Sequence, residues 1–426
     1  MYPANLSDAY TYLLIGIIAL AYSIWRHSEI EPITRIALAI GGAIALYMLS
    51  TYLYLPYRAW YAQAYSALDP WKGPYTPVAS YLTHWGVFLF IAVSWMAWET
   101  RQWMAQTPLS ALSKLKPYQL LIEGALIGLV IALLAIQFFV GTSIQWIALP
   151  IAAWAGVLLL NPNLPDTKRL VLFFIGTAMF ISLLVEVVVV RGDIGRANTI
   201  FKFYLQAWLM LAVSAGAMLA WTLSAFFRWL PGWRAFWQTG LILLVAGAAL
   251  FTVSGTAGKV RDRWVVEAPH SLDAMTFMNY AQYDDFGQRL VLNEDYRAIR
   301  WMQENVQGSP VIVETNCPEY HWCTRFTIYT GLPGVVGWNF HQRQQRAFNS
   351  TWVEERVAAV GNFYNSIEEK FTSDFLKTYD VKYIIVGQLE RAAYTPEGIA
   401  KFEQLDGTLW KSVYRDGQTI IYEVIQ

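Results

Sequence analysis

Charged side chains are scarce in this sequence. Only 15% of its 426 residues are Asp, Glu, Lys or Arg, whereas 56% are hydrophobic. The mean hydropathy of +0.32 excludes an ordinary soluble protein. The sequence has no basic tract, which argues against a nucleic-acid partner. It also has no glycine pattern of the Walker or dinucleotide-binding kind, so no nucleotide cofactor is implied.

Cysteine is nearly absent as well. The two cysteines are Cys317 and Cys323, and with His321 between them they match no recognised zinc-ligand spacing. A small-loop disulfide and a pair of free thiols both fit this separation. The sequence therefore predicts no metal-binding residues, and a requirement for a divalent metal stays open.

Long apolar runs fill the sequence up to about residue 256. Eight of them are close to the roughly 17–25 residues that cross a bilayer, and they lie at residues 10–25, 33–55, 81–98, 119–140, 143–160, 170–190, 199–223 and 237–253. The predicted fold class is a polytopic α-helical membrane protein. About eight transmembrane helices are expected in residues 1–256, and an extracytoplasmic α/β domain is expected in residues 257–426.

The charges of the loops predict the orientation. One set of loops carries nine Lys or Arg residues and the other set carries five, so the positive-inside rule makes the first set cytoplasmic. Eight spans return the chain to its starting side. The N-terminus and the C-terminal domain of this membrane protein are therefore predicted to lie outside. No Lys or Arg precedes the first run, so no cleavable signal peptide is predicted.

Helical and strand patterns alternate in residues 257–426. Helical periodicity occurs at residues 296–306, 353–364 and 371–379, and strand patterns occur at 311–314, 331–338 and 382–387. Asp416-Gly417 is typical of a hairpin turn between two final strands. This alternation predicts a small α/β layer with its own core.

The most informative stretch, RGDIGRANTIFKFYLQAW, covers residues 191–208 between two apolar runs. Charges at a bilayer boundary are costly to desolvate, so such a cluster usually faces a water-filled cavity. Asn198, Lys202 and Gln206 recur at i, i+4 and i+8, which predicts one polar stripe on a helix.

The same stretch contains residues that are suited to an anionic substrate. Arg191 and Arg196 are suited to bidentate phosphate contact, and Asp193 is suited to take a proton from an acceptor hydroxyl. The alternative is that these groups form internal salt bridges and anchor the ends of the spans.

Two further carboxylates are candidates for catalytic residues. Glu186 lies within a Val-rich run and needs a partner, for which Lys202 on the next span is predicted. The sequence allows two interpretations of Glu186, as a member of a structural ion pair or as a carboxylate of the functional site. Asp69, in the first external loop, is the fallback catalytic base. Aromatic residues of this loop suit an interfacial belt better than sugar stacking, and they are Trp60, Tyr61, Tyr65, Trp71 and Tyr75.

A second candidate site lies in the C-terminal domain. If the strands at residues 311–314 and 331–338 are adjacent and parallel, the residues that follow them gather at one sheet edge, where α/β proteins commonly bind ligands. These residues are Tyr320, Arg325, Trp338, His341, Arg343 and Arg346. A solvated helix face is the alternative.

Three blocks, at residues 55–90, 193–208 and 298–346, resemble the "YYY" family of bacterial and archaeal membrane proteins. This family of unassigned function is related to the GT-C glycosyltransferases. The chain is similar mainly to the C-terminal portion of its usually longer members. In GT-C enzymes the catalytic acidic residue lies in the first external loop, so it is expected either at Asp69 or outside this polypeptide.

The resemblance implies a GT-C-like inverting transfer of a sugar from a polyprenyl-phosphate donor to an acceptor on the outer face. Arg191, Arg196 and Lys202 would hold the phosphate, and Asp193 or Asp69 would act as base. The alternative is a non-catalytic membrane subunit or lipid-sugar binding protein whose external domain docks a partner. Membrane lipid is a contact in either case. A transporter fits less well, because repeated halves are not evident.

Overall fold

A computed structural model describes residues 6–61, 67–346 and 351–425 of the chain. Its elements divide between two compact units, whose main boundary lies between Gly258 and Lys259. The elements up to Arg263 are α1 (Leu6–His27), α2 (Pro32–Tyr52), α3 (Leu55–Trp60), β1 (Leu68–Pro70), α4 (Val78–Gln106), a 3-10 helix (Leu109–Tyr118), α5 (Gln119–Phe139), α6 (Gln145–Leu159), α7 (Asp166–Val187), β2 (Val188–Val190), α8 (Ala197–Ala225), a 3-10 turn (Phe226–Arg228) and α9 (Pro231–Arg263).

Seven helices in the described part of the chain are long and apolar enough to cross a membrane, and they include α1, α2, α4, α5, α7, α8 and α9. The prediction of eight spans is therefore confirmed for seven. The predicted run at residues 143–160 forms α6, which has 15 residues. At 1.5 Å per residue α6 extends about 22 Å, less than the roughly 30 Å hydrocarbon core. The chain is a polytopic membrane protein.

The core of the membrane unit is formed by α4, α6, α7 and α8. Large side chains fill it from α4, where Trp85 and Trp95 are fully buried. Alanine at positions 148, 178 and 207 is fully buried as well, so the backbones of α6, α7 and α8 approach closely, as is usual between membrane helices. The apolar windows of α1, α2 and α9 contain no buried residues, which is the expected state of helices that face lipid.

The second unit contains a mixed sheet. The elements after Arg263 are a 3-10 helix (Thr276–Asn279), β3 (Gln282–Asp285), β4 (Gln288–Val291), α10 (Leu292–Asn305), β5 (Val311–Val313), α11 (Arg325–Thr330), α12 (Asn339–Gln345), α13 (Thr351–Asn365), α14 (Glu369–Thr378), β6 (Val381–Val386), α15 (Gln388–Ala393), α16 (Pro396–Gln404), β7 (Trp410–Asp416) and β8 (Thr419–Val424). The strand order is β5-β6-β8-β7. β5 and β6 are parallel, and the other pairs are antiparallel.

Most of the predicted elements of this unit are present. The hairpin turn at Asp416-Gly417 joins β7 to β8, and Gly417 has the left-handed φ of +59° that such a turn requires. The strand predicted at residues 331–338 is wrong in extent, because it is reduced to one parallel bridge between Ile312 and Gly334. Its glycines and proline do not sustain a longer ladder.

A disulfide joins Cys317 to Cys323 across a Cα–Cα distance of 6.0 Å. This pairing decides between the two states that the sequence left open. Disulfides persist in oxidising compartments, so the bond fits the outside location predicted for this unit.

Candidate functional site

A buried ion pair lies at one end of the membrane bundle. Arg196 Nη1 is 2.7 Å from Glu186 Oε1, the Glu186 side chain is fully buried, and the Arg196 side chain is 8% exposed. Glu186 belongs to the last turn of α7, and Arg196 directly precedes α8. The prediction that Lys202 is the partner of Glu186 is wrong, since the loop between the two helices folds Arg196 back onto α7.

The Glu186 carboxylate accepts three further hydrogen bonds. Thr76 donates from its backbone nitrogen at 3.0 Å and from Oγ1 at 2.6 Å. Thr142, in the segment between α5 and α6, donates from Oγ1 at 3.3 Å. Together with Arg196, these donors satisfy both oxygens of the buried carboxylate. Glu186 therefore joins the starts of α4 and α6 to the end of α7.

The Arg196 guanidinium is equally engaged. Nη1 also donates to the carbonyl of Val185 at 2.8 Å, and Nη2 donates to the carbonyl of Pro74 and to Thr76 Oγ1, both at 3.1 Å. The ring of Trp71 lies 5.2 Å from the guanidinium carbon, at cation–π distance. Both terminal nitrogens are thus occupied within the chain, which argues against phosphate binding by Arg196. Sequence reasoning missed Thr76 and Thr142, because isolated threonines at span ends carry no signal.

Asp193 caps helix α8. Its carboxylate accepts hydrogen bonds from the backbone nitrogens of Asn198 at 3.2 Å and Thr199 at 2.8 Å, and from Thr199 Oγ1 at 2.7 Å. These amides belong to the first turn of α8, where backbone N–H groups lack helical partners and the helix dipole favours a negative charge. The placement argues for a structural role of Asp193 rather than for the predicted role as a base.

Asp69 and Arg191 form an exposed bidentate pair on a short ribbon. Strands β1 and β2 pair antiparallel, with Asp69 opposite Val189, and Arg191 donates its backbone N–H to the carbonyl of Ala67 at 2.8 Å. Arg191 Nη2 lies 2.8 Å from Asp69 Oδ1, and Nε lies 3.0 Å from Oδ2. The side chains of Asp69 and Arg191 are 39% and 65% exposed. The hydrogen bonds from Arg191 lower the pKa of Asp69.

The predicted polar stripe of α8 divides into two parts. Gln206 is buried and donates from Nε2 to Asp8 Oδ1 at 2.8 Å, so it ties α8 to the first turn of α1. Asn198 is exposed and Lys202 is half-buried. Within residues 6–61, 67–346 and 351–425, neither the Asn198 nor the Lys202 side chain makes a hydrogen bond or an ion pair.

The aromatic loop before α4 lies only partly within the described residues. Tyr65 and the side chain of Trp60 lie outside them. Trp71 donates from Nε1 to the carbonyl of Pro74 at 3.2 Å and covers Arg196. At least this ring therefore packs on the buried ion pair, in addition to any interfacial role.

In the second unit, Arg325 lies at the centre of a buried charge cluster. Its side chain is 1% exposed, and it lies 2.8 Å from Asp295, 2.8 Å from Glu390 and 3.7 Å from Glu314. Glu314 also accepts the backbone N–H groups of Phe326 and Thr327. Burial raises the pKa of Glu314 to about 7, against the opposing charge of Arg325. This placement makes Arg325 part of the core rather than of an open binding site.

The other predicted residues of this unit are closer to solvent. Tyr320 is 84% exposed, Arg343 pairs with Glu354 at 2.7 Å, and the Trp338 and His341 rings have centroids 6.2 Å apart. The isolated bridge between Ile312 and Gly334 is parallel, so the two segments are adjacent at that point, but the buried Arg325 does not join the exposed residues at an open sheet edge.

Arg346 lines a cavity of about 410 Å³. The cavity is also lined by Gln342, Trp352 and Arg356, and Arg356 Nη1 donates to the carbonyl of Val335 at 3.0 Å. Two guanidinium groups beside an indole ring are suited to an anionic ligand with a ring system. Sequence reasoning missed Trp352 and Arg356, since they belong to a helix whose pattern indicated only amphipathicity.

The comparisons with known proteins agree with the membrane architecture. No curated protein matches the chain. Residues 1–211 match the model of a family described as an uncharacterized membrane protein, DUF2298. The matched part contains Asp69, Glu186, Arg191, Arg196 and Lys202, so the polar end of the bundle lies entirely within the region similar to that membrane family of unassigned function.

Proposed function

We propose that this chain is a membrane glycosyltransferase of the GT-C type, or its C-terminal portion, which transfers a sugar from a polyprenyl-phosphate-linked donor to an acceptor on the outer face. The observation that carries the proposal is the exposed Asp69–Arg191 pair on the β1–β2 ribbon. Asp69 combines a carboxylate, solvent access and a rigid support at the end of the bundle, which a general base requires.

The reaction follows from an exchange of partners at Arg191. When the donor phosphate takes the guanidinium, Asp69 loses the hydrogen bonds that lower its pKa and becomes a stronger base. The acceptor hydroxyl oxygen then attacks the anomeric carbon, and its proton passes to Asp69. The bond from that carbon to the phosphate oxygen breaks, and the electron pair leaves with polyprenyl phosphate. A single displacement of this kind inverts the anomeric carbon.

Cations must hold the charge of the departing phosphate. Arg191 is one, and Lys202 is the second, because its ammonium group makes no hydrogen bond or ion pair within the described residues. Glu186, Arg196 and Asp193 have a different role in this proposal. They fix the ends of α4, α7 and α8 and thereby set the position of the ribbon.

The experiment is an activity assay on the full chain in membranes. Release of polyprenyl phosphate is measured from a panel of polyprenyl-phosphate hexoses, with a membrane extract as the source of acceptor. Asp69→Asn and Arg191→Ala are each expected to reduce release by at least 100-fold. Lys72→Ala is the matched control, since it removes an exposed cation from the same loop, and it should leave release unchanged. Release that survives Asp69→Asn at the original rate would overturn the assignment of the base.

The second candidate is a non-catalytic lipid-sugar binding protein, and the cavity with Arg346 and Arg356 favours it. In that case a polyprenyl-phosphate hexose would bind without release of polyprenyl phosphate. Binding would be weakened by Arg356→Ala and unaffected by Asp69→Asn. A transferase therefore requires Asp69 for release of polyprenyl phosphate, whereas a binding protein requires Arg356 for binding and tolerates Asp69→Asn.

A further inference from the structure

A second polar cavity lies at the other end of the membrane bundle. Its volume is about 350 Å³, within the range of small-molecule sites. It is lined by the last turns of α4, the segment between α6 and α7, the start of α7 and the end of α8. The Glu186 cluster lies at the opposite ends of α4, α7 and α8. The 29 residues of α4 correspond to about 40 Å between these ends.

One wall of the cavity contains an ion pair that is largely protected from water. Lys168 Nζ lies 2.5 Å from Glu99 Oε1, and the two side chains are 24% and 11% exposed. The ammonium group also lies 5.6 Å from the centre of the Trp221 ring. This pair neutralises itself. Glu99 Oε2 accepts no hydrogen bond within the described residues, so it is open to a ligand hydroxyl.

The α6–α7 segment is held rigidly against the cavity. Arg169 donates to four backbone carbonyls at the end of α6 and in this segment: Nη1 to Leu159 at 2.7 Å, Nη2 to Asn161 at 2.6 Å and to Pro162 at 3.5 Å, and Nε to Leu164 at 3.1 Å. Asn161 Oδ1 in turn accepts the backbone N–H of Asn163 at 3.1 Å. The loop that presents Asn163 is therefore pre-organised, which reduces the entropic cost of binding a ligand.

Four polar side chains of the lining make no polar contact within the described residues, and the Arg228 guanidinium carbon lies 5.1 Å from the centre of the Phe227 ring. In the part of the chain that the structure describes, the side chains of Gln102, Gln106, Asn163 and Arg228 make no hydrogen bond or ion pair. An interfacial belt accounts for aromatic rings at a helix end. Three amides and a guanidinium line this one cavity, and their exposed or half-buried donors are open to solvent and to a ligand.

We propose that this cavity binds a phosphorylated polyhydroxylated ring, either as the headgroup of a lipid or as a free sugar phosphate. The partly exposed indoles of Trp98, Trp103 and Trp221 provide flat surfaces for the ring. The amides and Glu99 bind its hydroxyls, and Arg228 binds the phosphate. The site lies on the face that loop charges predict to be cytoplasmic, so it is distinct from the proposed transfer site.

Calorimetric titration of the detergent-solubilised full chain tests this site. The two probes are dioctanoyl phosphatidylinositol and soluble inositol 1-phosphate. At least one is expected to bind at one equivalent per chain. The dissociation constant should rise at least tenfold in Arg228→Ala and in the double variant Gln102→Ala, Asn163→Ala. Arg234→Ala is the matched control, because it removes an exposed cation of α9 that does not line the cavity.

The two probes distinguish the sources of the ligand. A phosphatidylinositol affinity more than tenfold above that of inositol 1-phosphate identifies a lipid headgroup, and similar affinities identify a free phosphate ester. The proposal is overturned if neither probe saturates the wild-type chain, or if Arg234→Ala weakens binding as much as Arg228→Ala. A thermal unfolding curve for each variant verifies that the chain is folded.

Discussion

Glu186 Oε1 and Arg196 Nη1 lie 2.7 Å apart in the interior of the membrane unit. Through Thr76, Thr142, Val185 and Pro74, this pair connects the starts of α4 and α6 with the end of α7 and the start of α8. Arg196, from the polar stretch at residues 191–208, and Glu186, from the Val-rich span, therefore neutralise each other. The ribbon with Asp69 and Arg191 directly adjoins this anchor in the chain.

Breaking the buried pair should destabilise the membrane unit. Arg196→Ala leaves the Glu186 anion buried without its cation, and such losses cost about 3–5 kcal/mol. The expected result is a clear fall in the midpoint of thermal unfolding of the detergent-solubilised chain. The control is Arg191→Ala, which removes a solvent-exposed pair, and exposed pairs contribute little to stability because water screens them. Equal unfolding midpoints for these two variants would contradict a stabilising role of the buried Glu186–Arg196 pair. This expectation replaces the predicted phosphate-binding role of Arg196.

The capping role of Asp193 predicts a local effect. Asp193→Ala should expose the first turn of α8 and cost about 1 kcal/mol, whereas Asp193→Asn should cost less because the amide oxygen still accepts. Hydrogen–deuterium exchange of residues 197–201 measures the change. Asn198→Ala is the control, since its exposed side chain makes no hydrogen bond in the described part of the chain. Protection that is unaltered in Asp193→Ala would show that the cap contributes nothing.

The course of α6 predicts a topology. Thr142, before α6, bonds to Glu186 at one end of the bundle, and Asn163, after α6, lies beside the last turns of α4 at the other end. Lys72→Cys and Asn163→Cys should therefore react with a membrane-impermeant maleimide from opposite faces, with Lys72→Cys outside. The native cysteines are disulfide-bonded and should not react. Labelling of both positions from one face would mean that α6 does not cross the membrane.

The buried charge cluster predicts that the stability of the second unit depends on pH. Burial raises the pKa of Glu314 from 4.5 to about 7, so the folded state binds more protons than the unfolded state between these values. Stability should then fall as the pH rises from about 4.5 through 7. Hydrogen exchange of residues 311–330 at pH 5.5 and pH 8, corrected for intrinsic rates, measures this.

Glu314→Gln should remove most of that dependence, because an amide does not titrate. Glu355→Gln is the control, since it changes an exposed carboxylate of α13. A pH dependence that persists in Glu314→Gln would assign the effect to another group of the cluster.

Several features could be predicted from the sequence because they depend on local pattern. Seven of the eight predicted apolar runs form helices of spanning length, since burial of backbone groups in lipid leaves a helix as the main solution. The Asp416-Gly417 turn indicates its hairpin for an equally local reason. The polar stripe on α8 also follows from helical periodicity, although the sequence does not reveal that Gln206 packs against α1.

The partners of the charged residues were decided only by the tertiary structure. Sequence spacing makes Lys202 a plausible partner for Glu186, but left-handed Gly192 and Gly195 lie in the turn that brings Arg196 onto α7. Arg325 likewise resembles a ligand-binding residue in sequence and lies among three carboxylates in the fold. Ion pairs depend on distances of a few ångströms between residues far apart in the chain. Composition therefore determined that this is a membrane protein, and the tertiary structure decided which charges stabilise the fold and which remain available for a ligand.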